Sequence, residues 1–121
     1  MSKREALKLA RDAAAFLYEE DPEWVEGGCS DVSEVISEFL RGQGYEAKAI
    51  YGVAKRGREE SFYHAWMEVM GERFDPVLWV RGRKLSEYRY EVKPRVKAAL
   101  ACDIEIQVED WVPVLEDALL S

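Results

Sequence analysis

Ser61-Phe-Tyr-His64-Ala-Trp66-Met-Glu68-Val-Met70-Gly71-Glu-Arg-Phe74-Asp75-Pro76 is the stretch on which the fold of this chain turns. From Ser61 to Val69 it alternates, with Phe62, His64, Trp66 and Glu68 on one side and Tyr63, Ala65, Met67 and Val69 on the other, which is the period of a strand. Met70-Gly71 reads as a two-residue loop, and Arg73 to Val80 as the returning strand of a hairpin. Such a hairpin pairs Val69 with Glu72 and sets Trp66 opposite Asp75. His64 and Asp75 then project from one face as diagonal neighbours, roughly 7–8 Å apart at the backbone and within reach of a side-chain hydrogen bond. A slip of one residue would send them to opposite faces. His64 is the only histidine in 121 residues, so it alone has an ordinary pKa suited to proton transfer near neutrality.

Upstream, Gly27-Gly28 frees the backbone before Cys29. Val32, Val35, Ile36, Phe39 and Leu40 follow at helical spacing, and Gly42 and Gly44 stop the pattern, which predicts a helix from about Cys29 to Arg41. Cys29 falls at or beside its first turn. There the unpaired N–H groups and the positive end of the helix dipole favour an anion, the setting in which a thiol becomes reactive. A buried structural cysteine is the competing reading. A thiol, an imidazole and a carboxylate in this order can supply a nucleophile, its base and the group that orients the base.

The remaining elements follow outward from these two. Ser2 and Glu5 form a capping box, and apolar residues from Ala6 to Leu17 make one buried stripe on a first helix ending near Tyr18. Asp21-Pro22 breaks it, leaving Glu23 to Glu26 as a short turn or loop in which Trp24 is a core plug or a pocket wall. Tyr45 to Ala54 alternates as a strand, and Lys55 to Glu60 is a charged turn. Arg81 to Lys84 turns again, and Leu85 to Val92 reads as a strand ended by Pro94. Ala99 to Val108 reads as a half-buried strand with Cys102, Ile104, Ile106 and Val108 in its apolar row, and a short helix follows Pro113 over Val114 to Leu120. Helices first and antiparallel strands afterwards make one α+β domain over residues 1–121.

Composition bounds the function. The residues are 48% apolar and 34% charged, in the range of a soluble globular protein. No apolar run is long enough to span a bilayer, and the N-terminal residues lack the apolar core of a secretion signal, so the expected location is cytoplasmic, away from membranes. A net charge of −7 argues against nucleic acid as a partner. Residues 81–97 nevertheless hold seven basic groups against Glu87 and Glu91. That basic Arg81–Lys97 edge suits an acidic partner segment, or is a solvated face. Cys29 and Cys102 do not make a disulfide framework, and one histidine with two separated cysteines is not a zinc site, so no metal or cofactor is expected. The chain has no Asn or Thr and two Gln beside many Lys, Arg and Glu, a balance pointing to a thermophilic source.

Gly-Gly-Cys29-Ser-Asp31 opening an apolar helix, His64-Ala-Trp66-Met-Glu68-Val69 and Arg73-Phe74-Asp75-Pro76 together resemble the transglutaminase-like superfamily of papain-fold cysteine enzymes. The resemblance covers roughly residues 27 to 80. It implies a nucleophile helix packed on an antiparallel sheet, with Cys29 as nucleophile, His64 as its base and Asp75 orienting the imidazole. The implied reaction is acyl transfer on a peptide or protein amide, with hydrolysis favoured; transamidation, or a catalytically idle binding domain on the same fold, is the alternative. Papain-type proteases place a Gln before the nucleophile as an oxyanion donor, and this chain has none before Gln43. The Cys29 backbone N–H and the Trp24 indole are the candidates to take its place, with Gly28 and Trp66 as candidate pocket residues.

Overall fold

The computed structural model describes residues 2–100 and 103–120. Helix α1 (Lys3–Glu20) begins where expected, the Ser2 hydroxyl accepting from the Glu5 N–H at 3.1 Å. Asp21 ends it and caps the next helix, α2 (Pro22–Gly27), by accepting from the Trp24 N–H. The residues after Asp21-Pro22 are thus helical and not a loop. Asp at the cap followed by Pro at the first helical position is a helix-start signal as well as a break. Helix α3 (Cys29–Gly42) lies at the centre of the molecule, with Val32, Val35, Ile36, Phe39 and Leu40 fully buried.

The sheet has four antiparallel strands in the order β3-β2-β1-β4, made of β1 (Ala47–Arg56), β2 (Phe62–Val69), β3 (Glu72–Phe74) and β4 (Tyr88–Val92). The β2–β3 hairpin has the expected register, Val69 opposite Glu72 and Met67 opposite Phe74. Met70 and Gly71 both take positive φ, 52° and 83°, the twist a two-residue hairpin loop requires. One face of β2, carrying Ala65, Met67 and Val69, packs into the core with α3.

Two strand readings also fail, each for a local reason. The returning strand does not run to Val80: β3 stops at Phe74, and Pro76–Val80 is a short helix, α4, capped by Asp75. Asp75-Pro76 repeats the start signal of Asp21-Pro22. The segment read as a strand over residues 99–108 instead ends α5 (Lys97–Leu100) and opens α6 (Ile104–Leu120). Its alternation of Ile104, Ile106 and Val108 fits a strand over five residues. Val108, Trp111, Val112, Leu115 and Leu119 extend it at the helical period and pack on the core, leaving Ile106 55% exposed. Pro113, read as the boundary, lies inside this helix. The Cys102 assignment lies outside the described residues. Leu85–Glu87 forms a 3-10 turn before β4, so that strand is shorter than expected.

Candidate active site

The early end of β3 positions the site. Because β3 pairs only with Met67–Val69, no β3 residue lies beside β2 at His64, and the chain turns into α4 there. Asp75, at that turn, is fully buried, and His64 is 4% exposed. His64 Nε2 lies 2.6 Å from Asp75 Oδ2. The parity argument from the sequence therefore placed the two side chains correctly, although Asp75 leaves the sheet before it can pair with Trp66.

The Asp75 carboxylate accepts twice more. The Leu78 N–H donates to Oδ1 at 3.1 Å, which caps α4, and the Tyr90 hydroxyl donates to Oδ2 at 2.8 Å. A fully buried carboxylate needs such donors, and three fix both its position and its rotamer. Tyr90 arrives from β4, whose residues pair with β1 (Ala54 opposite Tyr90), and its ring packs 4.8 Å from Trp66. Burial raises the Tyr90 pKa, and the Asp75 charge raises it further, so the phenol remains a donor. Sequence reasoning did not single out Tyr90. Its reach to Asp75 follows from strand order, which no local pattern encodes.

The imidazole is also influenced by the thiol. Cys29 is the first residue of α3, with Gly28 at the N-cap and no side chain capping that turn. Cys29 is close enough to act on the ring electrostatically, alongside Asp75. Burial pulls the His64 pKa down, but hydrogen bonds and charge from Asp75 and then Cys29 prevail and lift it to about 9. The charged form of the ring is therefore favoured. Cys29 is a half-buried free thiol, neither sealed in hydrocarbon nor fully open. Trp66 stacks behind His64 at 6.3 Å, and Phe62 meets the ring edge-on at 5.3 Å.

The turn bearing Cys29 is tied to β1. Ser30 Oγ lies 3.0 Å from the Tyr51 hydroxyl, which donates to Glu34 at 2.8 Å, and Lys97 closes on Glu34 at 3.7 Å. Asp31, 7% exposed, has its carboxyl held above the usual range by burial and then by the charges of Asp103 and Glu34. Trp24 stacks on Trp111 of α6, with centroids 5.2 Å apart, and its indole N–H is buried without a partner. It borders Gly28: a Cβ there would sit 3.6 Å from Trp24 Nε1 and only 2.6 Å from the Trp24 carbonyl oxygen. A side chain at Gly28 would therefore collide with α2. Among the described residues no group of three or more His, Cys, Asp and Glu is placed to hold a metal ion. Among them, too, no helix is long and apolar enough to cross a membrane.

Residues 3–82 match the family model of the transglutaminase-like superfamily, and the chain belongs to that superfamily. Its fold is similar to that of a crystal structure titled only as a genomics target. The two chains are 14% identical with a TM-score of 0.56, and the match covers 97% of this chain and 79% of that one. No curated protein matches the chain.

Proposed function

We propose that this protein is a thiol-dependent acyl transferase acting on amides, with Cys29 as nucleophile, His64 as proton carrier and Asp75 as its orienting partner. The observation that carries the reading is the buried His64–Asp75 pair, 2.6 Å apart, whose imidazole also responds to Cys29 at the uncapped start of a helix. Membership of a superfamily of papain-like cysteine enzymes agrees with it.

In the first half-reaction the Cys29 thiolate attacks the amide carbonyl carbon, forming a C–S bond and placing the negative charge on the former carbonyl oxygen. The Cys29 backbone N–H faces that charge. The Trp24 indole N–H, buried beside Gly28 and lacking a partner, is the second donor. The His64 imidazolium gives its proton to the departing nitrogen as the C–N bond breaks, leaving a thioester and a neutral imidazole. Water then gives a proton to His64 and attacks the thioester, which releases the carboxylic acid and restores the thiolate–imidazolium pair. An amine in place of water gives transamidation by the same steps. Asp75 keeps the ring in the tautomer whose free nitrogen faces sulfur.

Two measurements test the proposal. Iodoacetamide should alkylate Cys29 quickly at mildly acidic pH, and His64→Ala should slow this to the rate of an ordinary thiol; equal rates would remove the ion pair and with it the mechanism. A peptide substrate and a glutamine substrate, each with and without a primary amine, then separate hydrolysis from transamidation. We favour hydrolysis, since no feature of the described residues selects an amine over water.

A further inference from the structure

The sheet face that meets Cys29 continues beyond it into a cationic groove. Tyr51, Ala65 and Val96 form a small buried cluster, and Cys29 packs against it. Two residues farther along the same strand faces, roughly 7 Å away, are Val53 and Tyr63. They line a cavity of about 430 Å³ with Lys93, Arg95 and Val96. Val53, Tyr63 and Lys93 also line a second cavity, of about 610 Å³, to which Lys55 and Arg89 contribute. The two share Val53, Tyr63 and Lys93 and form one groove, which at Val96 reaches the cluster that Cys29 packs against.

Its charge is the reverse of the molecule's. On a chain of net charge −7, Lys55, Arg89, Lys93 and Arg95 converge on the groove. Its one acid, Glu91, pairs loosely with Lys93 at 3.8 Å. Lys55, Arg89 and Arg95 have no carboxylate within ion-pair distance among the described residues, whereas Lys97 and Lys48 outside the groove do. Tyr63 stands 60% exposed in the wall. A groove with apolar walls, cations without partners and one end at the cluster packed on Cys29 fits an extended chain that carries carboxylates near the bond to be attacked.

We propose that this groove is the specificity subsite, and that the substrates are peptides with Asp or Glu flanking the reacting amide, with Lys93 and Arg95 reading those carboxylates. The proposal rests on the acyl-transfer reading for its chemistry, but not for its binding. The groove is short, and the net negative charge around it works against a long polyanion.

The test uses three fluorescein-labelled hexapeptides that differ only in whether two positions flanking a central glutamine are Glu, Ser or Lys. Binding is measured by anisotropy on Cys29→Ala, which cannot react, and turnover on the unaltered chain. The Glu peptide should bind Cys29→Ala about tenfold more tightly than the Ser peptide, the worth of two partly exposed ion pairs, and added salt should erode the difference. Lys93→Gln with Arg95→Gln should bring the two affinities together, and Lys93→Glu with Arg95→Glu should transfer the preference to the Lys peptide. Both positions are at the surface, so far-UV circular dichroism should be unchanged. Equal affinities for Glu and Ser peptides, or a preference that survives both double variants, would overturn the proposal. So would a short single-stranded oligonucleotide of matching charge binding as tightly as the Glu peptide, since that is a generic polyanion face. A preference in binding with no turnover of any peptide would refute the acyl-transfer reading while leaving the acidic specificity of the groove intact.

Discussion

Asp75 performs two tasks with one carboxylate, and substitutions can separate them. Asp75→Ala removes both the α4 cap and the partner of His64, with an expected loss of about 1 kcal/mol from the cap and more from the stranded imidazole. Asp75→Asn keeps an oxygen for the Leu78 N–H but loses the charge. It should melt at a higher temperature than Asp75→Ala yet be nearly as inactive, by scanning calorimetry and peptide turnover. Tyr90→Phe removes a donor that shares Oδ2 with His64, leaving more negative charge for the ring. Its turnover should fall about tenfold through looser positioning. The alkaline limb of its rate profile should meanwhile move up from about 9, which a purely structural tyrosine would not cause. His64 also ties stability to pH. Its pKa rises from 6.5 to about 9 on folding, so its contribution is fully present below 6.5 and is lost as pH climbs through about 9. Urea unfolding across that window should show the decline in the unaltered chain, and a flatter curve in His64→Gln.

Between elements, the critical approach is that of β1 to β4. Gly52 lies opposite both His64 and Val92, and a Cβ there would come within 2.0 Å of the Glu91 carbonyl oxygen and 2.8 Å of Trp66. Gly52→Ala must push β4 away, costing about 1–3 kcal/mol and withdrawing Tyr90 from Asp75. Thermal unfolding and the pH–rate profile should change together. Which elements were legible follows from how local their signals are. The hairpin was readable because Met70-Gly71 and the alternation around His64 lie within one window. The end of β3 was written in Asp75-Pro76 but hidden by the apolar run Val77-Leu78-Trp79-Val80, which suits a strand as well as a buried helix. The helix read over Val114 to Leu120 is the end of α6; its first half was missed because Ile104, Ile106 and Val108 match the shorter period until Trp111 and Leu115 are counted, and because Pro113 was taken as its limit. Tyr90 could not be found this way, since its partner Asp75 follows β3, three strand pairings away from β4.

For the molecule as a whole, the site is held between two layers that meet chiefly through α3. The sheet brings His64 and Tyr90, while α1, α4 and α6 pack around the helix that starts with Cys29. Leu115 of α6 is fully buried, and Leu115→Ala should cost about 2–5 kcal/mol by denaturant unfolding. The charge is arranged at this same scale: an acidic body with a cationic groove that reaches the cluster packed on Cys29, which no single residue in the sequence announces. The Trp24–Trp111 stack adds a practical consequence. Two indoles 5.2 Å apart and only 13° from parallel are close enough for their excited states to mix, giving a paired ultraviolet circular-dichroism band that disappears when either ring shifts. Since one of these rings borders Gly28, the protein carries a built-in optical gauge of events at the start of α3, readable in dilute solution without any attached dye.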